Sequence, residues 1–189
     1  MSAEKQVIRK QIKHLRAQLD KDNATKLNAR ISANAIMRLK KYEDQIVSCY
    51  WGSSKLGEIN TKPILQYLLE NDYRLCMPSM EGKGCMRMLE VKCLEELKET
   101  KYGIFEPDKH AKELQPDLVI TPLLGVDTQG YRVGYGGGYF DRYFSKQVQA
   151  IRVGLVYEMF IFDKLPHDEY DIPINAVITE NRYLEFNLD

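Results

Sequence analysis

The chain begins with a regular pattern of hydrophobic and polar positions between residues 2 and 19. Apolar residues recur there at intervals of three or four positions, which predicts an amphipathic helix. They are Ile8, Ile12, Leu15 and Leu19. Comparable patterns predict two further helices, over residues 24–42 and 62–70, and a fourth that begins at Tyr139.

Short apolar runs between and after these helices predict strands. The runs cover residues 46–51, 74–77, 86–91, 118–121, 151–157 and 176–179, with a turn over 81–84. Strands that alternate with helices predict an α/β fold with a mostly parallel sheet and helices on both faces. With no repeat or linker in the sequence, 189 residues predict a single domain over 1–189.

The composition narrows the class of protein. Lys plus Arg and Asp plus Glu are both 27, so the net charge is zero and no global field attracts nucleic acid. The four cysteines lack CxxC or zinc-ligand spacing. No apolar stretch reaches membrane-spanning length, and no secretory signal follows Met1. We therefore expect a cytoplasmic protein.

A glycine-rich loop follows the strand predicted at 118–121 and precedes the fourth helix. It contains Gly134, Gly136, Gly137 and Gly138. A strand, such a loop and a helix N-terminus aim backbone N–H groups at phosphate, and glycines let an anion approach closely. The loop lacks the Gly-Lys-Ser/Thr of a P-loop and the third glycine of a dinucleotide motif. It therefore predicts another kind of nucleotide-phosphate site.

Four side chains around this loop favour a functional site over a flexible surface turn, which would not require them. Arg132 supplies a forked and permanently charged donor. Asp141, in the first predicted helical turn, can interact with the helix dipole or hold a divalent metal beside phosphate. Tyr135 and Tyr139 complete the set.

Residues 127–142 closely resemble the signature of the 5-formyltetrahydrofolate cyclo-ligase family, also called methenyltetrahydrofolate synthetases. That signature runs roughly Asp-x-x-Gly-x-Arg-Leu-Gly-x-Gly-x-Gly-Tyr-Tyr-Asp-Arg, and the chain departs from it at Val133 and Phe140. The resemblance implies a three-layer, Rossmann-like α/β fold. It also implies binding of ATP and Mg²⁺. The implied nucleotide-binding residues here are Arg132, Gly134, Tyr135, Gly136, Gly137, Gly138, Tyr139 and Phe140, with Asp141 as a magnesium ligand.

Basic residues form a second stripe on the first predicted helix. Lys5, Arg9 and Arg16 lie about a quarter-turn from the apolar stripe, so they can face a cleft at the border of the buried side. A solvated charged face is the better interpretation for Lys10 and Lys13. The resemblance implies that Lys5 and Arg9, which match a family Lys-x-x-x-Arg pair, bind ATP phosphates.

A third cluster lies between the first strand and the helix at 62–70. Glu58 by itself is typical of a solvated loop acid, and Thr61 is a candidate N-cap. The family has a similar Glu-x-x-Thr, which implies that Glu58 binds the folate, where a carboxylate can accept hydrogen bonds from the pterin. Ser53 is expected to line the same pocket. Trp51 can do so too, but is equally compatible with the core.

The C-terminal part also resembles the family, over residues 165–180. By analogy, Asp171 is a second magnesium ligand, and a turn-forming Asp ahead of Ile172 and Pro173 is an equally supported alternative. Tyr170 replaces the usual His of this segment. A further family turn, at 102–107, is interpreted as structural.

The activity that the resemblance implies is the ATP- and Mg²⁺-dependent conversion of 5-formyltetrahydrofolate to 5,10-methenyltetrahydrofolate, with release of ADP and phosphate. Arg132 and Tyr139 are its expected catalytic residues, and the segment from Tyr135 to Tyr139 is expected to contact the folate as well. The expected partners are these two small molecules, without nucleic acid or membrane, and the expected state is a monomer. A sugar-phosphate isomerase or CoA-transferase relative and a non-catalytic folate or nucleotide sensor stay open as alternatives.

Overall fold

The computed structural model describes residues 3–82, 84–100 and 103–188. Within these ranges the helices are α1 (Ala3–Gln18), α2 (Lys21–Leu39), α3 (Lys62–Glu70) and α4 (Tyr139–Phe144). All four predicted helices are therefore confirmed, although α2 ends at Leu39 and a 3₁₀ turn continues it over Lys40–Tyr42. Ser2, Lys83 and Tyr102, which fell within predicted elements, lie outside the described residues.

Strands occur in three sheets within the same ranges. In chain order they are β1 (Ile46–Ser48), β2 (Arg74–Met80), β3 (Met86–Glu90), β4 (Lys98–Glu99), β5 (Phe105–Glu106), β6 (Leu118–Pro122), β7 (Gly125–Asp127), β8 (Arg132–Val133), β9 (Ile151–Leu155), β10 (Ile161–Phe162), β11 (Ala176–Ile178) and β12 (Tyr183–Glu185). Six of them correspond to the six predicted runs.

The largest sheet has seven strands in the order β12-β11-β9-β6-β1-β2-β3. Its five central strands run parallel to one another, and each of the edge strands β3 and β12 is antiparallel to the strand it pairs with. Parallel strands need crossover connections, which α3 supplies between β1 and β2. The predicted mostly parallel sheet is confirmed.

Side chains that alternate along the strands enter two separate apolar clusters. Val47 and Leu75 belong to the cluster that also contains Ile31 of α2 and Ile64 of α3. Their sequence neighbours on the opposite face, such as Cys76, pack with Phe144 of α4. Helices therefore cover both faces of the sheet, as the sequence predicts.

A smaller sheet, in the order β10-β7-β8, carries the residues that precede the glycine-rich loop. The tight connection between β7 and β8 is organised by Asp127, whose Oδ1 accepts the backbone N–H groups of Gln129 and Tyr131 at 2.9 Å. Its Oδ2 accepts the N–H of Leu165 at 3.0 Å. Asp127 of the family motif thus stabilises the turn that leads to Arg132.

Candidate active site

A cavity of about 710 Å³ lies at the carboxyl ends of the central strands. Met80 and Pro122, the last residues of β2 and β6, line it. The glycine-rich loop and α4 line it as well. Ligands of open α/β sheets bind at this end of the strands, and the volume is typical of a small-molecule site.

Nearly every site residue that the sequence predicts lines this cavity, although these residues come from segments far apart in the chain. These are Lys5, Arg9, Glu58, Arg132, Gly134, Tyr135, Gly136, Gly137, Gly138, Tyr139, Phe140, Asp141 and Asp171. Ser53 does not line it; its backbone N–H donates to Glu58 Oε2 at 2.8 Å, so it supports a site residue. Trp51 packs against Phe105, with ring centroids 4.5 Å apart.

The inward face of α1 is more basic than its apolar pattern predicts. Lys5 is only 4% exposed, whereas Leu15, predicted on the buried stripe, is 50% exposed. That prediction was wrong because the helix packs Arg16, not Leu15, against the molecule. Arg16 donates to the carbonyls of Leu123 and Leu124, both at 2.9 Å, and therefore stabilises the loop after β6.

Arg9 combines a structural contact with an unsatisfied donor. Its Nε donates to the carbonyl of Gly134 at 2.8 Å, which connects α1 to the glycine-rich loop. Its NH1 is buried and has no hydrogen-bond partner within the described part of the chain. A buried donor without a partner is costly. Because Arg9 lines the cavity, its guanidinium is a candidate to bind an anionic ligand there.

Lys5 and two aspartates form an ion-pair cluster on the same side. Lys5 Nζ contacts Asp171 Oδ2 and lies 3.4 Å from Asp168 Oδ2. The same Asp171 oxygen accepts the backbone N–H of Asp168 at 2.7 Å. Both sequence-based interpretations of Asp171 therefore keep support, because it lines the cavity and also stabilises a local turn.

Backbone geometry explains why glycine occupies this loop. Gly136 and Gly138 have φ values of 100° and 63°, a region that other residues rarely adopt. Arg142 donates to the carbonyl of Gly137 and, through Nε, to that of Gly84 at 2.7 Å. Arg142 occupies the last position of the family motif, but its contacts were not predicted from the sequence. Its spacing of four residues from Gly138, across one helical turn, was the available signal.

Arg132 lies in the cavity wall with its side chain only 5% exposed. NH2 donates to Asp141 Oδ1 at 2.8 Å, and NH1 donates to the carbonyl of Ile172. Burial lowers the pKa of Arg132, and the nearby charge of Asp141 opposes that shift. Both terminal nitrogens are thus engaged within the protein, and the sequence-based role as a phosphate clamp stays a prediction.

Glu58 is a carboxyl group with an altered protonation equilibrium. Burial raises its pKa to about 7, although the Ser53 hydrogen bond, the charge of Arg16 and a hydrogen bond with Tyr135 oppose the shift. Burial also raises the pKa of Tyr135, whose hydroxyl donates to the carbonyl of Leu56 at 3.4 Å. Glu58 can therefore change its charge near neutral pH inside the cavity.

Two carboxylates in the cavity are candidates for holding Mg²⁺. Hydrogen bonds reach Oδ1 of Asp141 and Oδ2 of Asp171, and across the described ranges none reaches the other oxygen of either group. Within those ranges no three His, Cys, Asp or Glu side chains form a metal-binding group. Mg²⁺ commonly uses one or two carboxylates together with substrate phosphates and water. The carboxylates of Asp141 and Asp171 fit this way of binding Mg²⁺.

The mostly parallel sheet and the cavity beyond its strand ends define an α/β protein with a site suited to a small anionic ligand. Residues 1–180 match the model of the 5-formyltetrahydrofolate cyclo-ligase family. The chain belongs to this family. None of the helices in the described residues is long and apolar enough to cross a membrane.

Named relatives agree with this assignment. A 5-formyltetrahydrofolate cyclo-ligase of Haemophilus influenzae is 26% identical over 182 residues, which cover 92% of this chain and 96% of the relative. One of Escherichia coli is 30% identical over 138 residues, covering 69% and 76%. The family, the ligase class and the folate substrate class predicted from the sequence are thus confirmed.

Two solved structures resemble the fold. A 5,10-methenyltetrahydrofolate synthetase of Aquifex aeolicus superposes with a TM-score of 0.77 at 27% identity, covering 98% of this chain and 94% of that one. One of Mycoplasma pneumoniae gives 0.75 at 21% identity, covering 94% and 99%, and bears on the fold alone. The predicted α/β architecture is confirmed.

Proposed function

We propose that the chain closes 5-formyltetrahydrofolate to 5,10-methenyltetrahydrofolate and converts one ATP to ADP and phosphate in doing so. The observation that carries the proposal is the content of one cavity. It holds an anion-binding half, with Lys5, Arg9 and the glycine-rich loop, and also Glu58, which suits the donor-rich edge of a pterin. A site that bound phosphate alone would not require Glu58.

The chemistry needs no protein nucleophile. The formyl oxygen of the substrate attacks the γ-phosphorus of ATP, and ADP leaves. The neighbouring anilino nitrogen of the folate then adds to the activated formyl carbon and loses its proton, and the carbon–oxygen bond breaks to release phosphate. The protein's contribution is therefore to orient the two substrates and to stabilise charge on the transferring group.

The described residues divide this work between them. Lys5, Arg9 and the backbone N–H groups of residues 134–138 bind the phosphates, and Phe140 packs beside the nucleotide. Tyr135 and Tyr139 pack against the folate near its formyl group. Asp141 and Asp171 hold Mg²⁺, which neutralises charge on the phosphoryl group when it is bound.

Several properties expected from the sequence remain predictions. They are the organisation as one domain over 1–189, the monomeric state, the cytoplasmic location and the absence of nucleic-acid and membrane partners. The expected contact of Ser53 with the folate also stays a prediction. Its hydroxyl is buried without a hydrogen-bond partner among the residues described.

The decisive experiment follows the absorbance of methenyltetrahydrofolate in mixtures with and without ATP and Mg²⁺. We expect product and ADP in equal amounts, no product without ATP, and little ATP hydrolysis without the formylated folate. Release of ADP that is independent of folate, or binding of both ligands without product, would favour an alternative function.

We expect Glu58→Gln to weaken folate binding but to stabilise the fold above neutral pH. Burial raises the folded-state pKa of Glu58 from 4.5 to about 7, so ionisation between these values favours unfolding and wild-type stability falls as pH rises through this window. Gln has no charge to bury. Because Glu58 keeps some exposure, the gain at pH 8 should be about 1–2 kcal/mol, less than the full conversion of the shift.

Thermal unfolding of both proteins at pH 8 and pH 4 measures this effect. The difference in stability should vanish at pH 4, where wild-type Glu58 is protonated in both states. Glu169→Gln, which removes an exposed acid, is the matched control and should show no such pH dependence. An equal gain from Glu58→Gln at both pH values would contradict the role of ionisation.

A further inference from the structure

Arg132, Asp141 and the backbone of Ile172 form a closed ring of hydrogen bonds in the cavity wall. Arg132 donates through NH1 to the Ile172 carbonyl and through NH2 to Asp141 Oδ1, at 2.8 Å. The Ile172 N–H donates to the same Asp141 oxygen at 3.2 Å. Each of the three groups therefore contacts the other two.

This ring directs the guanidinium of Arg132 into the protein. The group lies over the ring of Phe144, 5.3 Å from its centroid, and both terminal nitrogens already have acceptors. Each of these nitrogens keeps a second N–H group, but the side chain is only 5% exposed, so these groups present little surface to a phosphate oxygen. Arg9, which also lines the cavity, contrasts with this, because its buried NH1 has no partner in the described chain.

The ring also sets the position of the two candidate metal ligands relative to each other. Asp141 belongs to α4, and Asp171 immediately precedes Ile172, which lies 31 residues after Asp141 in the chain. By bridging α4 and Ile172, Arg132 holds the two carboxylates on one side of the cavity. It also offsets the repulsion between them, while Lys5 contacts Asp171 from α1.

We infer that Arg132 is a positioning residue, which aligns Asp141 and Asp171 for a divalent cation and does not contact the transferring phosphate. The inference rests on the proposed function for the presence of that cation. It assigns phosphate binding to Lys5, Arg9 and the loop. The planar guanidinium bridges two acceptors at once, whereas a lysine ammonium is a point charge on a flexible stem. Arg132→Lys therefore keeps the charge and loses the alignment.

The test measures binding, with Mn²⁺ as the probe for the Mg²⁺ site. Affinity for Mn²⁺ in the presence of ADP is measured by electron paramagnetic resonance, and affinity for ADP in EDTA by calorimetry. We expect Arg132→Lys to lower the affinity for Mn²⁺ roughly tenfold or more, as the loss of groups that orient metal ligands does. Affinity for ADP in EDTA should stay within about twofold, because no positioned phosphate contact is lost.

Arg152→Lys is the matched control. The Arg152 guanidinium also lies near the ring of Phe144, 5.8 Å from its centroid, but Arg152 does not line the cavity. Neither affinity should change in this variant. If Arg132→Lys lowers the affinities for Mn²⁺ and for metal-free ADP equally, Arg132 contacts the phosphate directly and the inference is overturned. No change in either affinity would also overturn it.

Two further outcomes are distinguishable. A wild-type protein that binds no Mn²⁺ with ADP would overturn the proposed metal role and this inference together. If Arg132→Lys fails to fold, as circular dichroism would show, Phe144→Leu replaces it, because this change withdraws the ring beneath the guanidinium and keeps the charge. That variant should lower the affinity for Mn²⁺ less than Arg132→Lys would, and it should leave the affinity for ADP in EDTA unchanged. An unchanged affinity for Mn²⁺ would count against the inference.

Discussion

Asp141→Asn is expected to lower turnover by roughly 100-fold or more and to raise the Mg²⁺ concentration that half-saturates the reaction. Neutralisation of phosphoryl charge by a bound metal contributes several kcal/mol, and about 1.4 kcal/mol corresponds to a tenfold change in rate. Asn keeps an oxygen that can accept from Arg132 and from the Ile172 N–H. Thermal stability should therefore fall much less than turnover.

Steady-state kinetics over a range of Mg²⁺ concentrations, together with thermal unfolding, measure both effects. Glu169→Gln removes the same charge from the same cavity and should leave turnover close to wild type. If Asp141 acted only through the dipole of α4, the change would cost about 0.3–1 kcal/mol of stability. A variant that melts early but turns over normally while folded would make Asp141 structural.

Arg9→Ala is expected to weaken ATP binding roughly 10- to 100-fold, since hydrogen bonds to charged groups contribute about 1.5–3 kcal/mol. The affinity for 5-formyltetrahydrofolate should change by no more than about twofold. The selectivity follows from the position of Arg9, which lines the anion-binding half of the cavity and whose buried NH1 has no partner among the described residues. Calorimetric titration with each ligand separately measures the two affinities.

The neighbouring Lys10 provides the control, because it is exposed and does not line the cavity. Lys10→Ala should bind both ligands normally. A large effect of Lys10→Ala, or equal losses of ATP and folate affinity in Arg9→Ala, would show that α1 does not present Arg9 to the nucleotide.

Most of the secondary structure could be predicted because its signals are local. The helix over Lys62–Glu70 and the strand that begins at Arg74 follow from apolar spacing within a few residues. The strands β7, β8 and β10 were not predicted, since two or three residues are too few to show alternation, whereas the equally short β1 and β11 lie within apolar runs of six and four residues that were predicted. Leu15 was misplaced because its spacing fits the apolar stripe, while the packing of α1 depends on acceptors that Arg16 finds elsewhere in the chain.

The candidate site likewise contains residues that could be predicted from local patterns and contacts that could not. The glycine-rich motif and the Lys5 and Arg9 pair could be singled out from residue types and short spacings. Two contacts within the site could not: the Arg16 bonds that hold the loop after β6, and the support that Ser53 gives to Glu58. These depend on backbone atoms, whose positions no residue pattern reports.

By itself, the sequence determined the four helices, six of the strands, the family and the residue types that meet at the cavity, because helix periodicity, strand length and glycine's conformational freedom act within short segments. The tertiary structure alone decided which remote charged and polar groups meet. Lys5 meets Asp171 across 166 positions, and Arg132 meets Ile172 across 40. The energy of such pairs depends on distance and burial, which are set when the sheet order brings remote segments together.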